Sequence, residues 1–290
     1  ANALMTRDQV LANIADARAI INQGELRVDT TLLDSAPRLQ IIANVAIGTD
    51  NFDLDAMTAR GVWATNAPDA FTESTADTAI ALLLAVTRRI AESDRYLRTG
   101  AWAIEGMRPA LWEGPLLGER NLGIVGYGKI GQAVARRATA FGMRVLYNRS
   151  RPDDGEGYRS LDDLIKESDI ISLHTPLTET TRHLIDQSML ESMKPGSYLI
   201  NLARGAVVDE SALVAALQSG HLAGAGLDVF ENEPIIHPEL LTLPNVVLTP
   251  HLGGAATDAR LAARALAAQN VALVLRGKRP KTPVNEIPAP

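Results

Sequence analysis

The chain has 290 residues, enough to bury a sizeable core and to divide into two domains. Its formal net charge of −6 gives no broad electrostatic attraction to nucleic acid, which would require a basic face, and it has no cysteine for a disulfide framework or a thiolate site. The longest apolar run, residues 79–86, is far shorter than the roughly 20 residues of a membrane span, and no signal segment opens the chain. We therefore predict a cytoplasmic protein that binds neither nucleic acid nor a membrane.

Short runs of β-branched residues alternate with helix-like stretches, a pattern typical of parallel sheets built from βαβ units. In the first third of the chain, the predicted strands are 19–21, 39–43 and 62–65, and the predicted helices are 4–15 and 53–59. A segment rich in capping residues, 69–77, leads into an apolar helix at 78–86. Because this helix is apolar nearly all round, we expect it to be buried in a core or at a subunit interface.

From residue 121 onward the alternation is regular and predicts a doubly wound parallel sheet of the Rossmann type. Its strands are 122–125, 144–147, 170–173, 197–201, 224–229 and 246–248, with helices at 130–141, 161–166, 186–192 and 210–219. A long helix at 258–275 follows, and we expect it to return to the first domain. The predicted fold class is therefore α/β, with a dinucleotide-binding domain at 69–256 and a smaller, discontinuous, flavodoxin-like α/β substrate domain at 1–68 and 257–290.

A glycine motif, Gly126, Gly128 and Gly131, follows the first strand of this sheet and opens the next helix. The Gly-x-Gly-x-x-Gly spacing is informative here because a second strand comes about 20 residues later. The three glycines permit a tight turn, backbone approach to a pyrophosphate, and close packing of helix on strand. With the exposed amide groups around Lys129 and Ile130, they predict a dinucleotide site, and a purely structural glycine turn is the alternative.

The end of the second strand indicates which dinucleotide binds. An NAD-dependent enzyme normally has Asp or Glu there to bind the ribose 2′-hydroxyl. Residues 147–151 contain no carboxylate to repel a 2′-phosphate, whereas Arg149 and Ser150, beside Asn148, can bind one through charge-assisted hydrogen bonds. We expect NADPH to be preferred and NADH to bind more weakly. Stacking of Arg149 over the adenine, which suits either cofactor, is the alternative.

Two side chains suited to keto-acid chemistry follow apolar strands, where open α/β sheets bind ligands. The planar guanidinium of Arg204 can bind a carboxylate and the neighbouring keto oxygen together, although pairing with a structural acid is the alternative. His251, with an ordinary pKa near 6.5, is suited to protonate a nascent alkoxide. A partner carboxylate would raise that pKa, and we expect Glu233 to be the partner, with Glu231 as the second candidate.

The other histidines are expected to be structural or surface residues, and no metal site is predicted, because the histidines lack the close spacing of metal ligands. His174 is a partial exception, since it ends a strand and is followed by Thr175 and Pro176, where it can border the cofactor.

Together these motifs resemble the D-isomer-specific 2-hydroxyacid dehydrogenase family, and within it the NADPH-linked glyoxylate/hydroxypyruvate reductases. The resemblance extends over residues 43–285 and includes the glycine turn and the segments 178–185, 201–205, 226–230 and 249–254. It implies reduction of a small 2-keto acid to the D-2-hydroxy acid, with Arg204 as substrate anchor, His251 as acid/base, and Glu233 as the residue that holds and tunes His251.

The resemblance also implies contacts for which the residues alone give no sign. The backbone amides of Ile47 and Gly48 would bind the substrate carboxylate, and Asp228 would lie near the nicotinamide carboxamide. Further cofactor contacts are implied for His174, Thr175, Pro176, Thr180, Leu202, Ala203 and Gly253. A homodimer is implied as well, which suits the apolar helix at 78–86.

The remaining expectations concern the extent of the chain and its function. The resemblance implies a strand and a helix before Leu4, and the absence of a regulatory domain after Asn285 disfavours the larger phosphoglycerate dehydrogenases of the family. The substrate stays open among glyoxylate, hydroxypyruvate, 2-ketogluconate and bulkier keto acids. A nicotinamide-sensing binding protein of the corepressor kind is the alternative from another functional class.

Overall fold

The computed structural model describes residues 5–287, and the chain divides into two compact units. One unit comprises Ala1–Phe71 and Gly254–Pro290, and the other comprises Thr72–Gly253. We refer to them as the discontinuous unit and the central unit. Among the described residues, no helix combines the length and the apolar character needed to cross a membrane.

The discontinuous unit has a parallel sheet in the order β1-β2-β3. Its elements are α1 (Arg7–Asn13), β1 (Ala19–Asn22), α2 (Thr30–Ser35), β2 (Ile41–Asn44), α3 (Leu54–Ala59), β3 (Trp63–Thr65) and α11 (Thr257–Leu275). Alternate residues of β2 face two cores: Ile42 packs with α2 and α3, whereas Ile41 and Ala43 pack with α11. The side chains of β2 alternate between the two faces of the sheet, so both faces of this short sheet are buried.

Two helices of this unit differ most from the sequence prediction, whereas the strand predicted at 39–43 is observed as β2 at Ile41–Asn44. The predicted helix at 4–15 is shorter, because Thr6 and Gln9 form a capping box that starts α1 at Arg7; position 4 lies outside the described residues. The short helix α2 was not predicted, although the Asp29 side chain caps it by accepting a hydrogen bond from the Leu32 N–H.

The central unit has a six-stranded parallel sheet in the order β5-β4-β6-β7-β8-β9. Its strands are β4 (Asn121–Val125), β5 (Arg144–Asn148), β6 (Ile170–Leu173), β7 (Ser197–Asn201), β8 (Leu222–Leu227) and β9 (Val246–Leu248). Its helices are α4 (Thr72–Thr87), α5 (Ile90–Arg98), α6 (Ala101–Glu105), α7 (Lys129–Ala140), α8 (Leu161–Glu167), α9 (Gln187–Ser192) and α10 (Glu210–Gln218). Helices α4 and α7 cover one face and α8, α9 and α10 the other, so the sheet is doubly wound. The predicted fold class, a Rossmann-type sheet with a second α/β domain, is confirmed.

A single parallel bridge between Tyr147 and Tyr158 extends the sheet beyond β5. Counting Tyr158 as the third strand in sequence, the sheet has the 3-2-1-4-5-6 order of a dinucleotide-binding fold, with one further strand. The chain crosses over between β5 and β6, so the strand order reverses between β4 and β6. Open α/β sheets bind ligands at this switch point.

The long helix α4 lies within the core of the central unit. Its buried residues, among them Ala79, Leu82 and Leu83, pack on α7 and on strands β7, β8 and β9. Of the two locations left open for this apolar helix, core or subunit interface, the core is the one observed. Its predicted start was too late, because residues 72–77 form its first turns rather than a preceding loop.

Candidate active site

The glycine turn between β4 and α7 has the geometry of a phosphate cradle. Gly126 has φ +94°, and a Cβ there would lie 2.5 Å from the His174 carbonyl oxygen. A Cβ on Gly131 would lie 2.3 Å from the Gly126 carbonyl oxygen, so strand and helix approach closely. Around Gly128, by contrast, a Cβ would meet no atom within 4 Å, and within the described chain no side chain caps α7. These features fit a dinucleotide whose pyrophosphate approaches the Gly128 backbone and the first amide groups of α7.

The strands of this sheet are parallel, so their carboxyl ends lie along one edge. Most of the residues singled out from the sequence follow these ends: Gly126, Gly128, Lys129, Ile130 and Gly131 after β4; Asn148, Arg149 and Ser150 at β5; His174, Thr175 and Pro176 after β6; Leu202, Ala203 and Arg204 after β7; Asp228 after β8; and His251 and Gly253 after β9. Thr180 lies further along the chain, in a cluster of hydroxyl groups with Thr178 and Thr181.

At the end of β5, Arg149 has a neighbour that the sequence reading overlooked. Its Nη1 lies 3.2 Å from Oδ2 of Asp153, and Oδ1 of the same carboxylate accepts a 2.6 Å hydrogen bond from the Tyr147 hydroxyl. That hydrogen bond, together with burial, raises the pKa of Tyr147 to about 12. The expectation of a site without a carboxylate is therefore corrected. Residues 147–151 contain no carboxylate, but Asp153, four positions after Arg149, places one beside the Arg149 guanidinium. The signal available in the sequence was the Asp-Asp-Gly turn at 153–155.

The imidazole of His251 is paired with Glu233. His251 Nδ1 lies 2.9 Å from Glu233 Oε2, and Glu233 Oε1 accepts a 3.0 Å hydrogen bond from the Phe230 N–H. The hydrogen bond to Glu233 raises the pKa of His251 above its ordinary 6.5, against the opposing effects of burial and of the Arg204 cation. Burial alone would raise the pKa of Glu233, but the hydrogen bonds from His251 and Phe230 lower it overall. The pair therefore favours imidazolium and carboxylate together.

Arg204 lies within electrostatic reach of this pair. Its charge lowers the pKa of both Glu233 and His251. Its backbone is fixed after β7, because the Asn201 side-chain amide donates to the Arg204 carbonyl and the Asn201 amide oxygen accepts from the Ala203 N–H. The guanidinium of Arg204 also donates to the Ala203 carbonyl at 2.8 Å. The central unit thus places an arginine, a histidine and a glutamate at the sheet edge that carries the glycine turn.

Glu231, the second candidate partner for His251, is paired elsewhere. Its Oε1 lies 2.6 Å from Nε2 of His183, and its N–H donates to the buried carboxylate of Glu210. Burial raises the pKa of Glu210. A second histidine–glutamate pair, His183 and Glu231, therefore holds the turn that carries Glu233. Sequence reasoning did not identify this pair.

Asp228 is buried and fixes the loop that carries His251. Its Oδ1 accepts from the Thr249 hydroxyl and the Leu252 N–H, and its Oδ2 accepts from the Gly253 N–H, all within 2.7 Å. Within this loop His251 itself has φ +54°, a left-handed conformation uncommon for a residue with a side chain. The implied contact between Asp228 and the nicotinamide carboxamide stays a prediction.

His174 is neutral at physiological pH, because burial lowers its pKa to about 4. Its Nε2 lies 2.8 Å from the Ser172 hydroxyl, whereas its buried Nδ1 has no hydrogen-bond partner among the described residues. A neutral imidazole beside the glycine turn places no additional charge near a bound pyrophosphate.

Ile47 and Gly48 belong to the discontinuous unit, in the loop that follows β2. Both are partly exposed. The side-chain amides of Asn66 and Asn44 donate hydrogen bonds to the Ile47 and Gly48 carbonyls, respectively. Among the described residues, no group of three or more histidine, aspartate or glutamate side chains is placed to hold a metal ion.

Comparison with known proteins indicates the family of the chain. Residues 80–253 match the model of the D-isomer specific 2-hydroxyacid dehydrogenase NAD-binding domain. The chain is 46% identical over 289 residues to a glyoxylate reductase of Thermococcus onnurineus, covering 97% of this chain and 86% of that protein.

Two solved structures have the same fold. The TT0316 protein from Thermus thermophilus has a TM-score of 0.92 at 44% identity, covering 98% of this chain and 91% of that chain. An NADPH-dependent glyoxylate/hydroxypyruvate reductase from Sinorhizobium meliloti, solved with NADP and malonate, has a TM-score of 0.87 at 40% identity, covering 94% and 85%.

The chain belongs to the D-isomer specific 2-hydroxyacid dehydrogenase family, and the predicted family resemblance is confirmed. It is an NAD(P)-dependent dehydrogenase that reduces a 2-keto acid to the 2-hydroxy acid.

Proposed function

We propose that the protein reduces glyoxylate or hydroxypyruvate, that the chiral product has the D configuration, and that NADPH is the preferred cofactor. The observation that carries the choice of reaction is the pairing of His251 with Glu233 near Arg204, at the sheet edge that carries the glycine turn. The names of the similar proteins, a glyoxylate reductase and a glyoxylate/hydroxypyruvate reductase, support the choice of substrate.

In this proposal the protein groups bind the substrate and supply the proton. Arg204 binds the substrate carboxylate and the keto oxygen through its planar fork of donors. His251 donates the proton to the carbonyl oxygen from Nε2, because its Nδ1 faces Glu233. Glu233 stabilises the imidazolium and fixes the ring orientation. When bound, the reduced nicotinamide supplies the hydride. The N–H groups of Ile47 and Gly48 bind the substrate carboxylate.

The preference for NADPH depends on Arg149 and Ser150, with Asn148 beside them. Asn148 is fixed, since its side-chain amide donates to the Arg159 carbonyl and its own carbonyl accepts from the Gly126 N–H. Arg149 is exposed and can bind a 2′-phosphate, but its ion pair with Asp153 competes for the guanidinium. NADPH binding therefore requires Arg149 to exchange or share its carboxylate partner. We expect NADH to bind more weakly, because it has no 2′-phosphate for Arg149 to bind.

We also propose that the protein is a homodimer. The central unit exposes large apolar side chains along one stretch, residues 102–116: Trp102, Ile104, Met107, Leu111 and Leu116, of which Ile104 is 86% exposed. We expect exposed apolar side chains so close together in the sequence to form one patch, and such patches are typical of protein–protein interfaces. A second copy is the occupant we expect, and it would contact this stretch rather than the buried helix α4. A cytoplasmic location stays a prediction.

The direct test is the initial rate of NADPH and NADH oxidation with glyoxylate and with hydroxypyruvate. Fast turnover with NADPH and slower turnover with NADH is the expected result. A preference for NADH would contradict the cofactor proposal but keep the reaction. Turnover confined to 2-ketogluconate or bulkier keto acids would contradict the substrate proposal. Cofactor binding without turnover of any keto acid would point to a sensing role.

A further inference from the structure

Three successive carbonyl groups in the loop after β2 are each held by a donor from the same unit. The Ala46 carbonyl accepts from the Ala67 N–H at 2.9 Å, and the Ile47 carbonyl accepts from the Asn66 side-chain amide at 2.7 Å. The Gly48 carbonyl accepts from the Asn44 side-chain amide at 3.1 Å. Such a run fixes the orientation of three consecutive peptide planes.

Fixing these carbonyls also fixes the amides that follow them. In a trans peptide the N–H points opposite to the C=O, and these peptide bonds are trans. The N–H groups of Ile47, Gly48 and Thr49 are therefore each directed away from the donor that holds the preceding carbonyl. Within the described part of the chain these three N–H groups donate no hydrogen bond, and their residues are partly exposed. Successive backbone N–H groups can bind an anion where a turn directs them to one point.

Asn66 is itself anchored from the far end of the sequence. Its carbonyl accepts a 2.6 Å hydrogen bond from the Thr282 hydroxyl, and that hydroxyl accepts in turn from the side-chain amide of Asn270 at 2.9 Å. Asn270 lies fully buried on α11. A chain of hydrogen bonds thus runs from the core of the discontinuous unit through Thr282 and Asn66 to the Ile47 carbonyl.

Asn44 is anchored by different partners. It is buried, its amide oxygen accepts from the Asn22 side chain, and its side-chain nitrogen also donates to Asn51 at 2.8 Å. Because this network holds β1, β2 and the loop together, a substitution of Asn44 would disturb the fold. Asn66 is only partly buried, so its amide is the more selective point at which to change the loop.

We infer that Asn66 is a positioning residue for the substrate carboxylate: by holding the Ile47 carbonyl, its side-chain amide presents the Gly48 N–H to the anion, and the Asn270–Thr282 pair keeps Asn66 in place. This inference rests on the proposed function of the Ile47 and Gly48 amides. Asn66 itself contacts no substrate. By orienting the Gly48 N–H, its side chain contributes to the affinity of the site for any small carboxylate.

The test compares the affinity of the cofactor-loaded enzyme for oxalate, an unreactive carboxylate, in the wild type and in Asn66→Ala. Loss of a single orienting hydrogen bond should weaken oxalate binding and raise KM for glyoxylate by about five- to tenfold. The kcat and the dissociation constant for NADPH should stay within about twofold, since the hydride and proton donors are not touched. Asn13→Ala, which removes a similar amide-to-carbonyl hydrogen bond from α1, is the matched control and should change none of these values.

A second pair of variants keeps the inference testable should Asn66→Ala fail to fold. Thr282→Val removes the hydroxyl that links Asn270 to Asn66 and should weaken oxalate binding in the same direction, whereas Thr282→Ser should restore it. Oxalate affinity that is unchanged in the folded variants overturns the inference, as does a wild type that binds no oxalate. Equal losses of oxalate and NADPH binding also overturn it, because they indicate general disturbance. A wild type that binds oxalate but does not reduce glyoxylate contradicts the proposed substrate and leaves the inference to be decided by the oxalate measurements.

Discussion

His251 Nδ1 and Glu233 Oε2 lie 2.9 Å apart, and the other oxygen of that carboxylate accepts from the Phe230 N–H. Both oxygens of Glu233 are thus engaged, which fixes the carboxylate and, through it, the plane of the imidazole. The Nε2 atom of His251 is left as the position from which a proton can be donated. The side chain of His251 is about half exposed (52%).

The first prediction concerns removal of this proton donor. We expect His251→Ala to lower kcat for keto-acid reduction by about 10²–10⁴-fold, the usual contribution of general acid catalysis. The dissociation constant for NADPH should be retained, because the glycine turn is not altered. His221→Ala is the matched control, since His221 lies near the amino end of β8, at the opposite edge of the sheet. Stopped-flow turnover and cofactor titration would measure both effects, and near-normal turnover in His251→Ala would exclude the assigned role.

The second prediction concerns pH. The pKa of His251 is raised above 6.5 by the hydrogen bond to Glu233, and reduction requires the imidazolium. The rate should therefore be full at pH values below this raised pKa and fall as the pH rises through it. Glu233→Gln removes the carboxylate charge but keeps the shape, so the pKa of His251 should drop and the fall should move to lower pH.

The measurement for this second prediction is kcat/KM for glyoxylate against pH in the wild type and in Glu233→Gln. A solvent isotope effect on the same rate establishes that proton transfer limits it. Superimposable profiles in the two proteins, with chemistry limiting in both, would show that Glu233 does not tune His251.

The sequence predicts most of the central sheet because its strands are apolar runs bounded by turns. The predicted bounds of β6, β7 and β9 coincide with the observed ones, whereas β8 lies two residues earlier than predicted. The observed strand ends at Leu227, and the carboxylate of Asp228, directly after it, accepts hydrogen bonds from the 249–253 loop. No local pattern contains that contact, since its partners lie more than 20 residues away.

The same limit applies to the site. Residues that stand directly after strands, such as Arg204 and His251, can be found from sequence because the ends of parallel strands meet at one edge. Asp153 could not be found in this way, because it lies in a turn and not directly after a strand. Asn66 does stand directly after β3, but its contact with the Ile47 carbonyl, 19 residues away, leaves no signal in the sequence. Tyr158 was missed as a sheet position because a single bridge leaves no periodic pattern.

The third prediction separates the two roles of Arg149. Hydrogen bonds to charged groups contribute about 1.5–3 kcal/mol, so Arg149→Ala should lower the NADPH-to-NADH ratio of kcat/KM by about 10- to 100-fold. Asp153→Asn should raise the ratio, because it removes the ion-pair partner of Arg149 while keeping a group that can accept from the Tyr147 hydroxyl. If Arg149 only stacks on the adenine, its removal will weaken both cofactors equally and Asp153→Asn will have no selective effect.

The fourth prediction concerns assembly. Ile104 and Met107 are 86% and 79% exposed, so replacing both with Glu should leave the central unit folded while placing charge in the proposed dimer interface. Sedimentation velocity should show the wild type as a dimer and the double variant as a monomer. Leu261→Glu, at an exposed apolar position on α11, is the control and should stay dimeric. A double variant that stays dimeric would place the interface elsewhere.

The fifth prediction compares alanine substitutions of two glycines in the same turn. One should lower the stability of the free protein, and the other should weaken cofactor binding. Gly131→Ala puts a Cβ 2.3 Å from the Gly126 carbonyl oxygen, so it should destabilise the free protein by about 1–3 kcal/mol through overpacking. Gly128→Ala meets no atom within 4 Å and has ordinary β-region dihedrals, so the free protein should keep its unfolding temperature.

In the presence of the cofactor, Gly128→Ala should be the variant that loses stability relative to the wild type. A ligand at 100 times its Kd stabilises the folded state by about 2.7 kcal/mol, and Gly128→Ala should lose much of that gain because its methyl group occupies the path of the pyrophosphate. Thermal unfolding with and without NADPH measures both variants in one experiment. Gly128→Ala that is stabilised by NADPH as fully as the wild type would show that the open space at Gly128 does not admit the phosphates, and the glycine turn would then be explained by packing alone.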